Sequence, residues 1–81
     1  MSSAKDLIEI DAGVEAEIVT LEGGEKFQAR LNSMGLHVGS HIKKLSKVGM
    51  GGPIILAIDR AQIAVGRGMA RKIKVNECYH V

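Results

Sequence analysis

The sequence predicts a small, mostly β domain: a five-stranded barrel with one short helix inserted after the first strand. Two observations carry this. Short runs alternate apolar and polar side chains, and glycines punctuate them almost everywhere a strand would end. Composition agrees, since hydrophobic residues are 46% of the chain and aromatics only 2%, so the core is built of Val, Ile, Leu, Ala and Met. Such a balance is globular rather than disordered. The 81 residues make one domain, residues 1–81, with a core spanning about 7–75 and burial per residue near the lower limit for independent folding. Five strands left as an open sheet expose edges, and closure into a barrel covers them.

The first strand is read from Val14-Glu15-Ala16-Glu17-Ile18, which alternates at period two and continues through Val19 and Leu21. Gly13 precedes it and Gly23-Gly24 follow. The helix is predicted over about 24–34, because Phe27, Leu31 and Met34 fall at i, i+4 and i+7, one helical stripe. Gly35 stands where a residue of left-handed conformation ends such a helix. Residues 41–48 are ambiguous, since Ile42, Leu45 and Val48 are spaced by three. Only one or two helical turns fit between Gly39 and Gly49, so a strand with an irregularity such as a bulge is predicted. A loop from Gly49 to Pro53 leads into a strand over 54–58, buried on both faces or nearly so. Asp59-Arg60 then makes a tight turn into an alternating strand over 61–65. A helical turn over 66–70 and a final strand over 72–75 complete the order.

The remaining bulk features bound the function. Cys78 is the only cysteine, so no intramolecular disulfide forms. The opening MSSAKDLIEI lacks the basic-then-apolar order of a secretory signal, and a cytoplasmic location is expected. The longest apolar run, Ile54–Ile58, is far short of the roughly twenty residues that span a bilayer. Charge is uneven although the net is +2: residues 1–39 hold three basic side chains against seven acidic ones, and residues 40–75 hold eight basic ones against Asp59 alone. That basic half reads either as the solvated outer face of a small sheet or as a surface for an acidic partner or nucleic acid.

Chemistry-bearing motifs are sparse. His37, His41, Cys78 and His80 are the candidate metal ligands, but Gly39 interrupts the i, i+4 pair of histidines. Cys78-Tyr79-His80 is a soft pair suited to zinc or copper rather than ferrous iron. No four-ligand set stands out, and neither a resident metal nor a cofactor is expected. No phosphate loop, nucleophile elbow or His-Glu-x-x-His helix occurs, so the chain is not expected to be an enzyme. The glycines at 49, 51 and 52 and the Gly66-Arg67-Gly68 turn read more simply as backbone turns than as anion cradles. Nucleic-acid binding is not expected, because Phe27 lies on the helix stripe and Tyr79 in the tail, which leaves no aromatic platform among the basic residues. Protein binding remains. Met50, in a glycine-proline loop, is either an adaptable apolar anchor or a filler of the small core.

The ordered motifs Arg30-Leu31-x-x-Met34-Gly35-Leu36-x-x-Gly39 and Gly52-Pro53-Ile54, followed by Ala70 and Ile73-Lys74-Val75, resemble the FeoA family of bacterial ferrous-iron uptake. The similarity covers about residues 7–75. It implies an SH3-like barrel, a module also found at the C-terminal end of DtxR-type repressors. It further implies a cytoplasmic accessory role through contact with the cytoplasmic part of a FeoB-like membrane iron transporter. Arg30, Leu31, Met34, Gly35 and Gly39 are then mainly architectural. The expected contact is the loop of Met50, Gly51, Gly52 and Pro53, with Lys43, Lys47 and Arg67 steering association. The alternative is a stand-alone repressor-type domain in metal-responsive regulation or nucleic-acid binding, against which the lack of a DNA-reading helix counts. Gly66-Arg67-Gly68 is richer in glycine than the family's turn.

Overall fold

The computed structural model describes residues 4–47 and 52–78. Among these residues the order is β1 (Lys5–Asp6), a 3₁₀ turn (Leu7–Glu9), β2 (Glu15–Leu21), α1 (Glu25–Ser33), β3 (His41–Lys47), β4 (Ile54–Ile58), β5 (Ala61–Val65), α2 (Arg67–Ala70) and β6 (Ile73–Glu77). Every ladder is antiparallel and the strands form one sheet in the order β1-β6-β2-β3-β4-β5. The expected five strands are therefore six. The expected closed barrel is an open sheet, since no pairing among the described residues joins β5 to β1. The extra strand is two residues long and both are charged, so it carries no alternation. It exists because Lys5 and Asp6 find Val75 and Lys74 across the chain.

α1 ends as the sequence predicts. Gly35 adopts φ +89°; its N–H donates to the Asn32 carbonyl at 3.0 Å, and the Leu36 N–H donates to the Leu31 carbonyl at 2.9 Å. This is the paired-bond stop in which a left-handed residue lets the chain turn back on its helix, with apolar contact between its ends. Leu31 and Leu36 are both fully buried. At the other end Gly23 has φ +125°, and a Cβ there would lie 2.8 Å from Phe27 Cδ2, so only glycine admits both the turn and the ring. Gln28 Nε2 donates to the carbonyls of Leu21 and Gly23, both at 3.2 Å, and fastens α1 to the end of β2.

The strand over 41–47 carries its irregularity between Lys44 and Ser46, where the register against β4 shifts. A second shift lies between Ile18 and Thr20 in β2. Such shifts bend a strand and raise its twist, which lets the sheet curl around one interior. Buried residues from β2 to β6, both helices and the 3₁₀ turn form a single cluster. β4 buries Ile54 and Leu56 and keeps Ile55, Ala57 and Ile58 half-covered. Among the described residues no helix is long and apolar enough to cross a membrane.

Candidate partner-binding surface

Strand register decides which of the expected contact residues share a neighbourhood. Lys47 pairs with Ile54, and Ile54 with Val65, so the last residue of β3, the entry to β4 and the exit of β5 lie in one row across the sheet. Gly52 and Pro53 directly precede that row, half-buried and exposed respectively, and Arg67 follows it at the start of α2, half-buried. Lys47, Gly52, Pro53 and Arg67 therefore gather at one end of the sheet. Lys43 does not join them. It is exposed on β3 opposite Glu15 and Ala57, roughly 13 Å along the strand from Lys47 at about 3.3 Å per residue. Met50 and Gly51, the centre of the expected contact, lie outside the described residues.

The basic half of the chain is not one free patch. Lys74 bonds to Asp6 and lies 3.9 Å from Glu22. Lys72 Nζ stands 5.0 Å over the Phe27 ring, a cation–π arrangement. Lys44 is fully buried on β3, and its Nζ donates to the carbonyls of Leu7, Ile8 and Ile10 at 3.2, 3.0 and 2.5 Å. An ammonium there satisfies carbonyls that a short 3₁₀ turn leaves without partners, and its charge complements the turn's C-terminal end. Sequence reasoning missed this role because lysines are almost never fully buried. The available signal was positional: Ile42 is buried, and period two puts Lys44 on the same face.

At the opposite end of β4 a cleft of about 290 Å³ opens between the α1–β3 connection and the β4–β5 turn, lined by Gly35, His37, Ser40, His41, Ile58 and Asp59. Ser40 shapes its floor: Oγ accepts the His37 N–H at 3.1 Å and donates to the Gly35 carbonyl at 3.2 Å. Gly39 N–H and Ile18 C=O, 2.8 Å apart, tie the connection to β2. The structure thus brings His37 and His41 to one cleft, although Gly39 separates them in sequence. Among the described residues no group of three or more His, Cys, Asp or Glu is arranged to hold a metal ion. His37 Nδ1 faces the Val38 carbonyl at 3.3 Å instead. Cys78 is half-buried and a free thiol, with its N–H bonded to the Glu15 carbonyl at 2.8 Å; His80 lies outside the described residues.

The family model described as the FeoA domain matches residues 5–77. The chain is 35% identical over 65 residues to a putative Fe(2+) transport protein A of Methanocaldococcus jannaschii, covering 80% of this chain and 77% of that protein. It superposes on the crystal structure of an iron uptake regulatory protein (FeoA) with a TM-score of 0.84 at 31% identity, over 95% of this chain and all of that one. A manganese-dependent transcriptional repressor shares the fold at a TM-score of 0.85 and 22% identity, across 96% of this chain and 44% of the repressor.

Proposed function

Because this chain belongs to the FeoA domain family, with its SH3-like fold, we propose that it is an accessory protein of ferrous-iron uptake that binds the cytoplasmic part of a FeoB-like membrane transporter. The observation that carries the reading is the gathering of Gly52, Pro53, Lys47 and Arg67 at one end of the sheet. Pro53 is exposed at that end while Ile54 and Val65 are buried, so in this reading the contact is made by Pro53 and the loop before it. Met50, two residues before Gly52 in sequence, supplies the adaptable apolar anchor. The cations set encounter rate and orientation more than final affinity. With no phosphate loop in the sequence, nucleotide hydrolysis belongs to the partner.

Biolayer interferometry against the matching transporter's cytoplasmic domain, in each nucleotide state, tests this directly. Met50→Asp should weaken binding about tenfold or more, because it desolvates an unpaired charge at the contact. Lys43→Ala should slow association and flatten its salt dependence while leaving dissociation nearly unchanged. The fold shared with a repressor supports one other reading, metal-responsive regulation. No transporter binding in any nucleotide state, together with nanomolar DNA affinity at physiological salt, would decide for that reading.

A further inference from the structure

The cleft between the α1–β3 connection and the β4–β5 turn is rich in acceptors. The connection engages its donors within the chain: the N–H groups of Gly35, Leu36, Gly39 and Ser40 bond to the carbonyls of Asn32, Leu31, Ile18 and His37, and that of His37 bonds to Ser40 Oγ, whose own proton goes to the Gly35 carbonyl. His37 Nδ1 faces the Val38 carbonyl and so carries a proton, which leaves Nε2 of the neutral ring as an acceptor. Asp59 lines the cleft from the turn. Glu17 stands opposite His41 on β2, and both point to the outer face because Ala16, Ile18 and Ile42 are buried. Among the described residues neither Asp59 nor Glu17 has an ion-pair partner, although Lys43 and Arg60 are close in the chain to His41 and Asp59. These acceptors do not converge on a point, since no three ligands are arranged around an ion.

We propose that this cleft is a recognition site for an arginine side chain of a partner polypeptide. A guanidinium carries five N–H donors in one plane and no acceptor, so it engages acceptors spread along a wall, where a metal ion needs them gathered. Its fork matches the Asp59 carboxylate, and its flat face stacks on the exposed imidazoles of His37 and His41. Half-buried Ile58 gives the aliphatic stem an apolar wall. Val38 argues for a polypeptide over a free cation. It lies between His37 and Gly39 in the same connection and is 61% exposed, the large apolar side chain that the described residues leave in solvent. The bonds of His37, Gly39 and Ser40 fix the backbone on either side of it, so an apolar residue beside the arginine covers a surface that is already ordered. The cleft is at the other end of β4 from Pro53, and its assignment does not rest on the transporter reading.

The test is an NMR titration of the isotope-labelled full chain with acetyl-leucyl-arginine amide. The amides of Gly35, Ser40, His41 and Asp59 should shift together and saturate in the millimolar range, as one side chain in a small cleft would. The citrulline analogue keeps the shape without the charge and should bind about tenfold or more weakly. Asp59→Asn should weaken the arginine peptide about tenfold with the rest of the spectrum unchanged, because asparagine tolerates the φ of +52° found at that position. Val38→Ser should weaken the leucyl-arginine probe and leave acetyl-arginine amide unaffected. Equal binding of the arginine and citrulline peptides overturns the proposal, as does binding undiminished by Asp59→Asn or by Val38→Ser, or a set of shifts confined to another element. Zinc chloride that shifts the same amides at micromolar concentration, while the peptide shifts none at about 10 mM, would make the cleft a metal site instead.

Discussion

At Lys44 an ammonium holds together two parts of the chain that are distant in sequence. Its three carbonyl partners belong to Leu7, Ile8 and Ile10, so one side chain of β3 anchors the whole N-terminal turn to the core. Hydrogen bonds to a charged donor are each stronger than neutral ones, and orphaned buried carbonyls add their desolvation cost. Lys44→Met, which keeps the stem's volume and removes the donors, should therefore destabilise the domain by about 2–4 kcal/mol in urea unfolding. Lys43→Met, one residue away but exposed, should change stability by no more than about 0.5 kcal/mol. Equal costs for the two would show that the buried donor carries no special energy. The contrast also marks what a sequence discloses at single positions. Gly35 is legible because a left-handed stop after an apolar stripe requires glycine, whereas Lys44 is hidden because the carbonyls that help to make its burial tolerable belong to Leu7, Ile8 and Ile10, far away in the sequence.

Helix α1 was the most legible element, and its energetics rest on one residue. Leu31 is the fully buried member of its stripe, with Phe27 and Met34 partly covered. Leu31→Ala should cost about 2–5 kcal/mol, as truncations of buried leucine do, and a thermal melt superimposable on the wild type would show that the stripe is not packed. The bulged strand was legible for a related reason. Apolar spacing of three between two glycines too close for a helix is what an inserted residue does to period-two alternation, and the register shift falls between Lys44 and Ser46. β1 and the 3₁₀ turn left no such trace, because two and three residues are too few to show a period. Their formation depends on β6 and Lys44, which are far along the chain.

On the scale of the whole molecule, strand number and alternation do not determine closure. Closure depends on tilt and stagger that no local pattern encodes, and here the ladder stays open between β5 and β1. The residues of the candidate contact were legible as types in a loop, but their gathering depended on the Lys47, Ile54 and Val65 register. β1 and β6 are joined by charge as well as by their ladder. Lys5 Nζ lies 2.8 Å from Glu77 Oε2, and Lys74 bonds to Asp6 across the β1–β6 ladder. The hydrogen bond that Lys74 donates to Asp6, opposed by partial desolvation and aided by the charges of Asp6, Glu22 and Glu9, raises the Lys74 pKa above the ordinary lysine value. A raised pKa in the folded state means that the contribution is complete below the unfolded lysine pKa. It is lost as pH rises through the folded one. The stability difference between the wild type and Lys74→Met should accordingly be constant from neutral pH to about pH 9 and shrink toward about pH 11. Comparing the two proteins cancels the titration of the other lysines. The loss should stay modest, since both partners are partly solvated. A difference that stays flat across that range, or grows, would mean that the ammonium of Lys74 does not hold the N-terminal strand to the sheet.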